Sequence, residues 1–348
     1  MMNFGKYDHS TYVTPLWEGN VVYNETVMFV DENEAPLLYI PDKVISVRSY
    51  DLKLEYVEGE DYVVRDGKIA LTENTRIPSF EAEEYYPYEG VPGKSFGCNV
   101  EGHPYIFFSE GATIFKRQIH VTYTHSDVWS GFVPQKQNKF TRFFEKASRG
   151  EEVAVLFFGD SISCGANSSK MVGCEPYADT WYDMIVESMR KYFNNDKIKC
   201  VNTAVGGKNT VWAGEVLQER AIDISPDLMF LAFGMNDVFR APEEEKALIK
   251  DILDRFLEAC PDAEVALVSP MLPHFRLKGF WGNQRYFEKE FEELCDEYAN
   301  VALIPVTSVH SAVLERKRYY DMTGNNVNHP NDFLARIYAQ TANKVLFG

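Results

Sequence analysis

The pattern of hydrophobic and polar residues changes character near residue 139. Before that position, short runs of β-branched and aromatic residues alternate with turn signals, and no long helical period occurs. Within residues 43–72, for example, Asp66-Gly67 separates two such runs and predicts a β-hairpin. We therefore expect residues 1–137 to form an accessory β domain, either a sandwich or a jelly roll.

From residue 138 onwards, five apolar runs typical of buried strands alternate with amphipathic helical segments. Such an alternation indicates a parallel sheet that is covered by helices on both faces. We predict that residues 138–348 form an α/β domain, a flavodoxin-like doubly wound parallel sheet. The predicted strands are Val153–Gly159, Ile198–Ala204, Asp227–Gly234, Ala263–Pro270 and Val301–Thr307.

Polar and glycine-rich segments follow the first three of these strands. The first strand runs into FFGDSISCGANSS, which contains Gly159-Asp160-Ser161. The second is followed by NTAVGGKNT (202–210) and the third by GMND (234–237). The working loops of a doubly wound sheet lie at the carboxyl ends of its strands. If the strand order is 2-1-3-4-5, these three loops are neighbours and Ser161 lies between the other two.

The three loops carry groups that ester hydrolysis requires. Ser161 is a candidate nucleophile, and His329 is the best candidate for its base, preceding a helix that we expect to start near Pro330. A tetrahedral oxyanion needs donors. The backbone N–H of Ser161 at a helix start, a glycine N–H of the second loop and the amide of Asn236 could supply them. The alternative for Gly159-Asp160-Ser161 is an ordinary strand-to-helix turn.

Taken together, Gly-Asp-Ser, the glycine loop, Gly-x-Asn-Asp and His-Pro before the last helix resemble the SGNH, or GDSL-type, hydrolase family. The resemblance covers roughly Val153 to Gly348. It implies that residues 138–348 are the catalytic domain, that Ser161 is the nucleophile and that His329 is the base. It also implies an oxyanion hole formed by the N–H groups of Ser161 and Gly207 and by Asn236. Gly207 is preferred to Gly206 because it directly precedes the polar KNT segment, as the family's glycine precedes its own.

One position departs from the family pattern. The family usually has an aspartate three residues before the histidine, and this chain has Asn326 there. An amide oxygen accepts a hydrogen bond from the imidazole but adds no charge. We therefore expect a Ser-His dyad or an atypical triad, with the ring oriented by Asn326, by a backbone carbonyl or by another acid such as Asp321.

The order of the two predicted domains resembles that of carbohydrate esterases in which a β-sandwich precedes the catalytic domain. This resemblance implies a serine esterase that removes small acyl groups, above all acetyl, from carbohydrates. The alternative is a carbohydrate-binding protein with an inactive hydrolase-like domain, which the asparagine at position 326 would favour. A third hypothesis is a protein that binds a flavin or a nucleotide. However, the chain lacks a phosphate-binding motif, and this hypothesis gives His329 no role.

The composition of the chain limits the classes of binding partner that we expect. The formal net charge of −17 disfavours nucleic acids and anionic membranes as partners, and no apolar run approaches a membrane span. The first residues show no signal pattern, so we expect a cytoplasmic protein. Neither the six scattered cysteines nor the histidines have the spacing of a metal site, and we expect no disulfide, metal or cofactor. His274 and Trp281, after the fourth strand, are candidates for lining the pocket, but a packing or surface role is favoured for each.

Overall fold

The computed structural model describes residues 5–348, of which we call 5–137 the β region and 138–348 the α/β region. The elements of the β region are short. They are α1 (His9–Tyr12), β1 (Val21–Val30), β2 (Glu34–Pro36), β3 (Lys43–Ser49), β4 (Glu55–Tyr56), β5 (Tyr62–Arg65), β6 (Lys68–Leu71), β7 (Ser79–Phe80), α2 (Ala82–Tyr85), β8 (Ser95–Val100), β9 (His103–Phe107) and β10 (Gln118–Thr124).

The strands of the β region form three sheets. The largest has the order β4-β3-β10-β1-β7, and the others are β2-β6-β5 and the hairpin β8-β9. The predicted hairpin is present as β5 and β6, in which Arg65 pairs with Lys68 and Asp66-Gly67 forms the turn with positive φ at both residues. Helices α1 and α2 and a single 3₁₀ turn at Phe115–Arg117 make the region predominantly rather than purely β.

In the α/β region, strands and helices alternate as predicted. The elements are α3 (Thr141–Ser148), β11 (Val153–Gly159), α4 (Trp181–Phe193), β12 (Ile198–Asn202), α5 (Thr210–Glu215), β13 (Leu228–Ala232), α6 (Pro242–Ala259), β14 (Glu264–Val268), α7 (Gln284–Asp296), β15 (Val301–Ile304), α8 (Val306–Leu314) and α9 (Asp332–Phe347). The five strands are parallel and their order is β12-β11-β13-β14-β15. This is the 2-1-3-4-5 order on which the predicted neighbourhood of the three loops depends.

Helices cover the sheet on both faces. Alternate side chains of each strand point to opposite faces and therefore pack against different helices. Val155 and Phe157 of β11 belong to one apolar cluster, with buried residues of α4 and α9. Leu156 and Phe158 belong to another, with buried residues of α5, α6 and α7. Burial on both sides explains why the strands are almost continuously apolar.

The last helix begins near Pro330, as predicted, but the proline is not its first residue. Helix α9 starts two residues later, at Asp332, and Asn331 caps it. The side-chain oxygen of Asn331 accepts hydrogen bonds from the N–H groups of Phe333 (3.0 Å) and Leu334 (3.1 Å). Pro330 instead pairs with Thr323 in an isolated antiparallel bridge.

The β region is fastened to the α/β region through strand β1. One apolar cluster contains buried residues of both regions. The ammonium of Lys317 lies 2.5 Å from the carboxylate of Glu25, and both side chains are fully buried. The carboxylate of Asp321 accepts a hydrogen bond from the Met28 N–H (2.8 Å). A buried charge without its partner is costly, so these contacts fix one region against the other.

Across residues 5–348, none of the helices combines the length and the apolarity that crossing a membrane requires.

Candidate active site

Ser161 lies just beyond the end of β11. The last residue of that strand is Gly159, and the space around it admits no side chain. A Cβ atom at Gly159 would lie 2.5 Å from the carbonyl oxygen of Ala232, at the end of β13, and would also collide with the side chain of Ser163. The glycine therefore lets the ends of β11 and β13 approach closely, and the chain turns away immediately afterwards.

The segment after Ser161 is a series of turns and not the helix that the sequence predicted. The Cys164 N–H donates to the Asp160 carbonyl and the Ala166 N–H to the Ser161 carbonyl, each at 3.0 Å. The next helix, α4, begins only at Trp181. The Ser161 N–H is therefore at the start of a turn, without the dipole of a full helix behind it.

Asp160 braces this turn. Its carboxylate accepts a hydrogen bond from the Ile162 N–H at 2.9 Å. Burial raises the pKa of Asp160 to about 7, although that hydrogen bond and the proximity of His329 act in the opposite direction. The pKa of this carboxyl is therefore close to neutral, and the carboxyl adjoins Ser161, the candidate nucleophile.

The fold brings Ser161 and His329 together from positions 168 residues apart. The Nε2 atom of His329 lies 2.8 Å from the Ser161 Oγ, which is hydrogen-bond distance. Each residue is only 8% exposed. The serine and the base that the sequence singled out are thus in the geometry of an activated nucleophile.

Asn325 shapes the loop that presents His329. Its side-chain oxygen accepts hydrogen bonds from three successive N–H groups, those of Val327, Asn328 and His329, at 2.9–3.0 Å. The His329 carbonyl in turn accepts from the Gly324 N–H at 3.0 Å. The backbone around the histidine is therefore held from both sides.

Asn167 defines the tautomer of His329. Its amide oxygen lies 2.6 Å from the His329 Nδ1, while its amide nitrogen faces the Gly324 carbonyl at 3.4 Å. Because the oxygen can only accept, Nδ1 carries the proton. The lone pair is then on Nε2, where it can receive the hydroxyl proton of Ser161.

Gly324 is what allows Asn167 to reach the ring. A Cβ atom at Gly324 would lie 2.6 Å from the Asn167 Cβ, so a larger residue would push the two loops apart. Asn167 is 2% exposed and has a φ of 56°, in the left-handed region that asparagine tolerates better than most residues.

The structure contradicts the expectation that Asn326 orients the histidine. Asn326 has a φ of 67°, and its side chain is directed into the β region. There its amide oxygen accepts from the Tyr85 hydroxyl and its amide nitrogen donates to the Phe107 carbonyl, both at 3.0 Å. Asp321, the acid considered as a substitute, is also engaged elsewhere, with Met28 and Arg318.

A carboxylate reaches the histidine from the β region instead. The Oε2 atom of Glu110 lies 3.3 Å from the His329 Nδ1, and the side chain is 54% exposed. Sequence reasoning missed both Glu110 and Asn167. Asn167 belongs to the same polar stretch as Ser161, which is a weak signal, whereas nothing in the sequence around Glu110 indicated a role.

The loops that were expected to supply oxyanion donors are neighbours of Ser161. A Cβ atom at Gly206 would lie 3.8 Å from the Ser161 Cβ, and Gly207 follows with a φ of 74°. The Asn236 side-chain nitrogen donates to the Lys208 carbonyl at 2.8 Å and so links the third loop to the second. Asp237 strengthens this link, because its buried carboxylate accepts from both the N–H and the hydroxyl of Thr210.

A cleft of about 670 Å³ lies between the two regions, and neither Ser161 nor His329 lines it. It adjoins loops that do belong to the site. The His274 N–H donates to the carbonyl of Val327, two residues before the catalytic histidine candidate, at 2.9 Å. Its lining includes aromatic and charged side chains from both regions: Tyr86, His103, Phe275, Arg276, Trp281 and Tyr320.

All six cysteines are free. Within residues 5–348, no cluster of three or more His, Cys, Asp or Glu side chains is arranged to bind a metal ion. His274, placed by the sequence in a packing or surface role, is 2% exposed, and burial lowers its pKa to about 3.

Comparison with known proteins gives one family match. Residues 157–337, more than half of the chain, match the model of the GDSL-like Lipase/Acylhydrolase family. No curated protein matches the chain.

Solved structures resemble part of the chain. Axe2, an acetylxylan esterase from Geobacillus stearothermophilus, is 17% identical, with 55% of this chain and 93% of Axe2 covered and a TM-score of 0.45. LAE5, an alpha/beta hydrolase enzyme from the metagenome of Lake Arreo, is 15% identical, with 55% and 93% covered and a TM-score of 0.46. CEX, a two-domain esterase active on acetylated mannans, is 17% identical, with 61% of this chain and 53% of CEX covered and a TM-score of 0.48.

A fluorophosphonate probe should label Ser161, because the probe reacts with a serine whose hydroxyl is activated by a base. Mass spectrometry of the labelled peptide identifies the site. Ser163→Ala is the matched control: this serine is two residues away and 1% exposed, and its hydroxyl has no hydrogen-bond partner among residues 5–348. The control should be labelled like the wild type, and Ser161→Ala should not be labelled. Equal labelling of Ser161→Ala would contradict the assignment.

Proposed function

This chain belongs to the GDSL-like lipase/acylhydrolase family and is an ester hydrolase, and from this premise we propose that it is a serine esterase that removes acetyl groups from carbohydrates. The observation that carries the proposal is the 2.8 Å contact between the Ser161 hydroxyl and the His329 Nε2. It is supported by Asn167, which leaves the lone pair of the imidazole on the side of the serine.

In the proposed reaction, the Ser161 Oγ attacks the acetyl carbonyl carbon while His329 takes the hydroxyl proton on Nε2. The tetrahedral intermediate then collapses, the ester C–O bond breaks, and His329 returns the proton to the leaving alcohol. Water attacks the acyl-enzyme by the same path, with His329 again as the base. Acetate leaves, and the Ser161 hydroxyl is restored.

The negative charge of the intermediate requires donors that are already in place. We assign this role to the N–H groups of Ser161 and Gly207 and to the side-chain amide of Asn236. The hydrogen bond from Asn236 to the Lys208 carbonyl supports the assignment, because it holds the amide against the loop that contains Gly207.

Asn167 takes the orienting role in this proposal. An asparagine that fixes a catalytic histidine without adding charge is also found in papain-like proteases, which combine Cys, His and Asn. The alternative of an inactive carbohydrate-binding protein rested on the asparagine at position 326. Asn326 does not contact the ring, and the asparagine that does, Asn167, leaves the Nε2 lone pair free to accept the serine proton. An asparagine in this role therefore does not argue against activity.

A small acyl group fits the surroundings of the nucleophile. The side chains around Ser161 and His329 are short or polar, among them Asn167, Glu110 and the glycines of the second loop. A long alkyl chain would need an apolar surface to gain from burial, at roughly 25 cal/mol per Å². Because the surroundings are polar, most methylene groups of a long acyl chain would gain no such stabilisation.

The cleft between the two regions supports a carbohydrate as the alcohol. Its volume of about 670 Å³ lies in the range of small-molecule sites, and it combines aromatic rings with charged hydrogen-bonding groups. Two residues after Trp281, the Asn283 N–H donates a hydrogen bond to the Val238 carbonyl at 2.7 Å. Val238 belongs to the loop that contains Asn236. In this proposal the cleft holds sugar units that lie away from the ester bond, because neither Ser161 nor His329 lines it.

The same cleft suggests a role for the β region. We propose that residues 1–137 form an accessory β-sandwich or jelly-roll domain and residues 138–348 the catalytic domain, with Tyr86 and His103 of the former completing one wall of the sugar site. The shared apolar cluster supports a fixed arrangement of the two parts.

The acyl preference is tested with p-nitrophenyl esters of increasing chain length and with acetylated oligosaccharides. We expect kcat/KM to be highest for acetate and to fall with chain length, because longer chains gain little from the polar surroundings. The Ser161→Ala and His329→Ala variants should lose this activity to a similar extent, since the two residues act as a unit. A higher kcat/KM for octanoate than for acetate would contradict the proposed acyl group.

Replacing Asn236 with alanine should lower kcat by roughly 10²–10³ with little change in KM, the usual effect of removing one oxyanion donor. Asn283→Ala is the matched control, because its side-chain nitrogen also donates to a carbonyl of the same loop, that of Arg240, at 2.9 Å. Steady-state kinetics should show a much smaller loss for the control. Equal losses would mean that Asn236 acts only by bracing the loop.

Trp281→Ala should raise KM for acetylated oligosaccharides and leave hydrolysis of p-nitrophenyl acetate unchanged, because the small ester does not extend into the cleft. Phe132→Ala, which removes a 43% exposed aromatic side chain that does not line the cleft, serves as the control. Equal KM values for wild type and Trp281→Ala on every acetylated oligosaccharide would remove the cleft from the proposed function.

A further inference from the structure

The β region sends one carboxylate into the candidate active site. Glu110 lies three residues beyond the end of β9, and its Oε2 atom is 3.3 Å from the His329 Nδ1. Its other oxygen, Oε1, is 3.5 Å from the side-chain nitrogen of Asn325. Asn325 is the residue that organises the histidine loop, so both oxygens of Glu110 face groups that position the imidazole.

The backbone that leads to Glu110 is anchored to the same loop. The Phe107 carbonyl accepts from the side-chain nitrogen of Asn326 at 3.0 Å. On the strand that follows, the side-chain nitrogen of Gln118 donates to the Thr323 carbonyl, also at 3.0 Å. Hydrogen bonds to the histidine loop therefore flank Glu110 on both sides along the chain.

Two acceptors thus face one N–H. Asn167 lies closer, at 2.6 Å, and carries no charge, whereas Glu110 is farther away and ionisable. Burial alone would raise the pKa of Glu110, but the hydrogen bond and charge of His329 outweigh it and lower the pKa. Glu110 is therefore ionised at the pH values at which a histidine gains its proton.

We propose that Glu110 is a positioning residue that supplies the negative charge missing from Asn167, so that the β region completes the catalytic site. Asn167 fixes the ring and its tautomer, and Glu110 stabilises the imidazolium that forms when Ser161 loses its proton. The kinetic part of this inference rests on the proposed esterase function, whereas the charge interaction itself does not.

Another acid also faces the histidine. Asp160, on the turn after β11, lies close enough to interact with His329, and burial raises its pKa to about 7. Asp160 therefore contributes to any pH dependence near neutrality. Asp160 is unchanged in all the variants described below, so its effect on the His329 titration is the same in each of them.

The direct test is an NMR titration of the His329 imidazole in a Ser161→Ala background, in which no turnover is needed. Histidine-specific isotope labelling gives the spectra, and His329→Ala identifies the signal among the seven histidines. Glu110→Gln removes the charge and retains the shape of the side chain. The midpoint of the His329 titration should then fall by roughly 0.2–0.7 pH units, the size expected for a half-exposed ion pair.

Two further variants make this test specific. Glu101→Gln removes a charge from the turn between β8 and β9 of the same hairpin and should leave the midpoint unchanged. Glu110→Asp retains the charge on a shorter side chain and should give an intermediate midpoint. The difference between Glu110→Gln and its parent should shrink in 1 M salt, where charges are screened beyond about 3 Å.

In the active protein, Glu110→Gln should move the acidic limb of kcat/KM to lower pH and reduce its maximum by about 2–5-fold. A midpoint in Glu110→Gln equal to that of its parent, within the change seen for Glu101→Gln, would overturn the inference. A protein without esterase activity that still shows the NMR shift would refute the proposed function and leave the charge interaction standing.

Discussion

The proposed chemistry of this protein depends on one contact, the hydrogen bond between the Ser161 hydroxyl and the His329 Nε2. It joins residues 168 positions apart at a distance of 2.8 Å. Two constraints make it possible. Gly159 lets β11 end directly against β13, and Asn325 gathers three backbone N–H groups so that the histidine loop keeps one shape. A serine and a histidine become an activated pair only where the backbone on both sides is fixed.

Much of this arrangement could be predicted from the sequence, because it follows from regular structure. Apolar runs such as Val153–Gly159 are continuous since both faces of the sheet are buried, and the parallel order gathers the three loops at one edge. Ser161 follows the end of β11 by two residues, and His329 precedes the start of α9 by three. Their positions along the chain were therefore enough to single them out.

The residues around the histidine could not be predicted, because irregular backbone decides where their side chains point. Asn326 has the sequence spacing of an orienting residue, but its left-handed backbone directs it to Tyr85 and Phe107. Asn167 reaches the ring through a close approach that only glycine at position 324 permits. Glu110 arrives from the other region, at a point that depends on the whole packing of β1 against the α/β region. Spacing in the sequence carries no information about such contacts.

In the proposed reaction, the acyl group is transferred to one atom, the Ser161 Oγ. The most direct measurement is rapid acid quenching of a reaction with p-nitrophenyl acetate, followed by mass spectrometry of the peptides. We predict an acetyl group on Ser161 in the wild type and none on the corresponding peptide of Ser161→Ala. An acetyl group on a different residue, together with undiminished turnover by Ser161→Ala, would contradict the account.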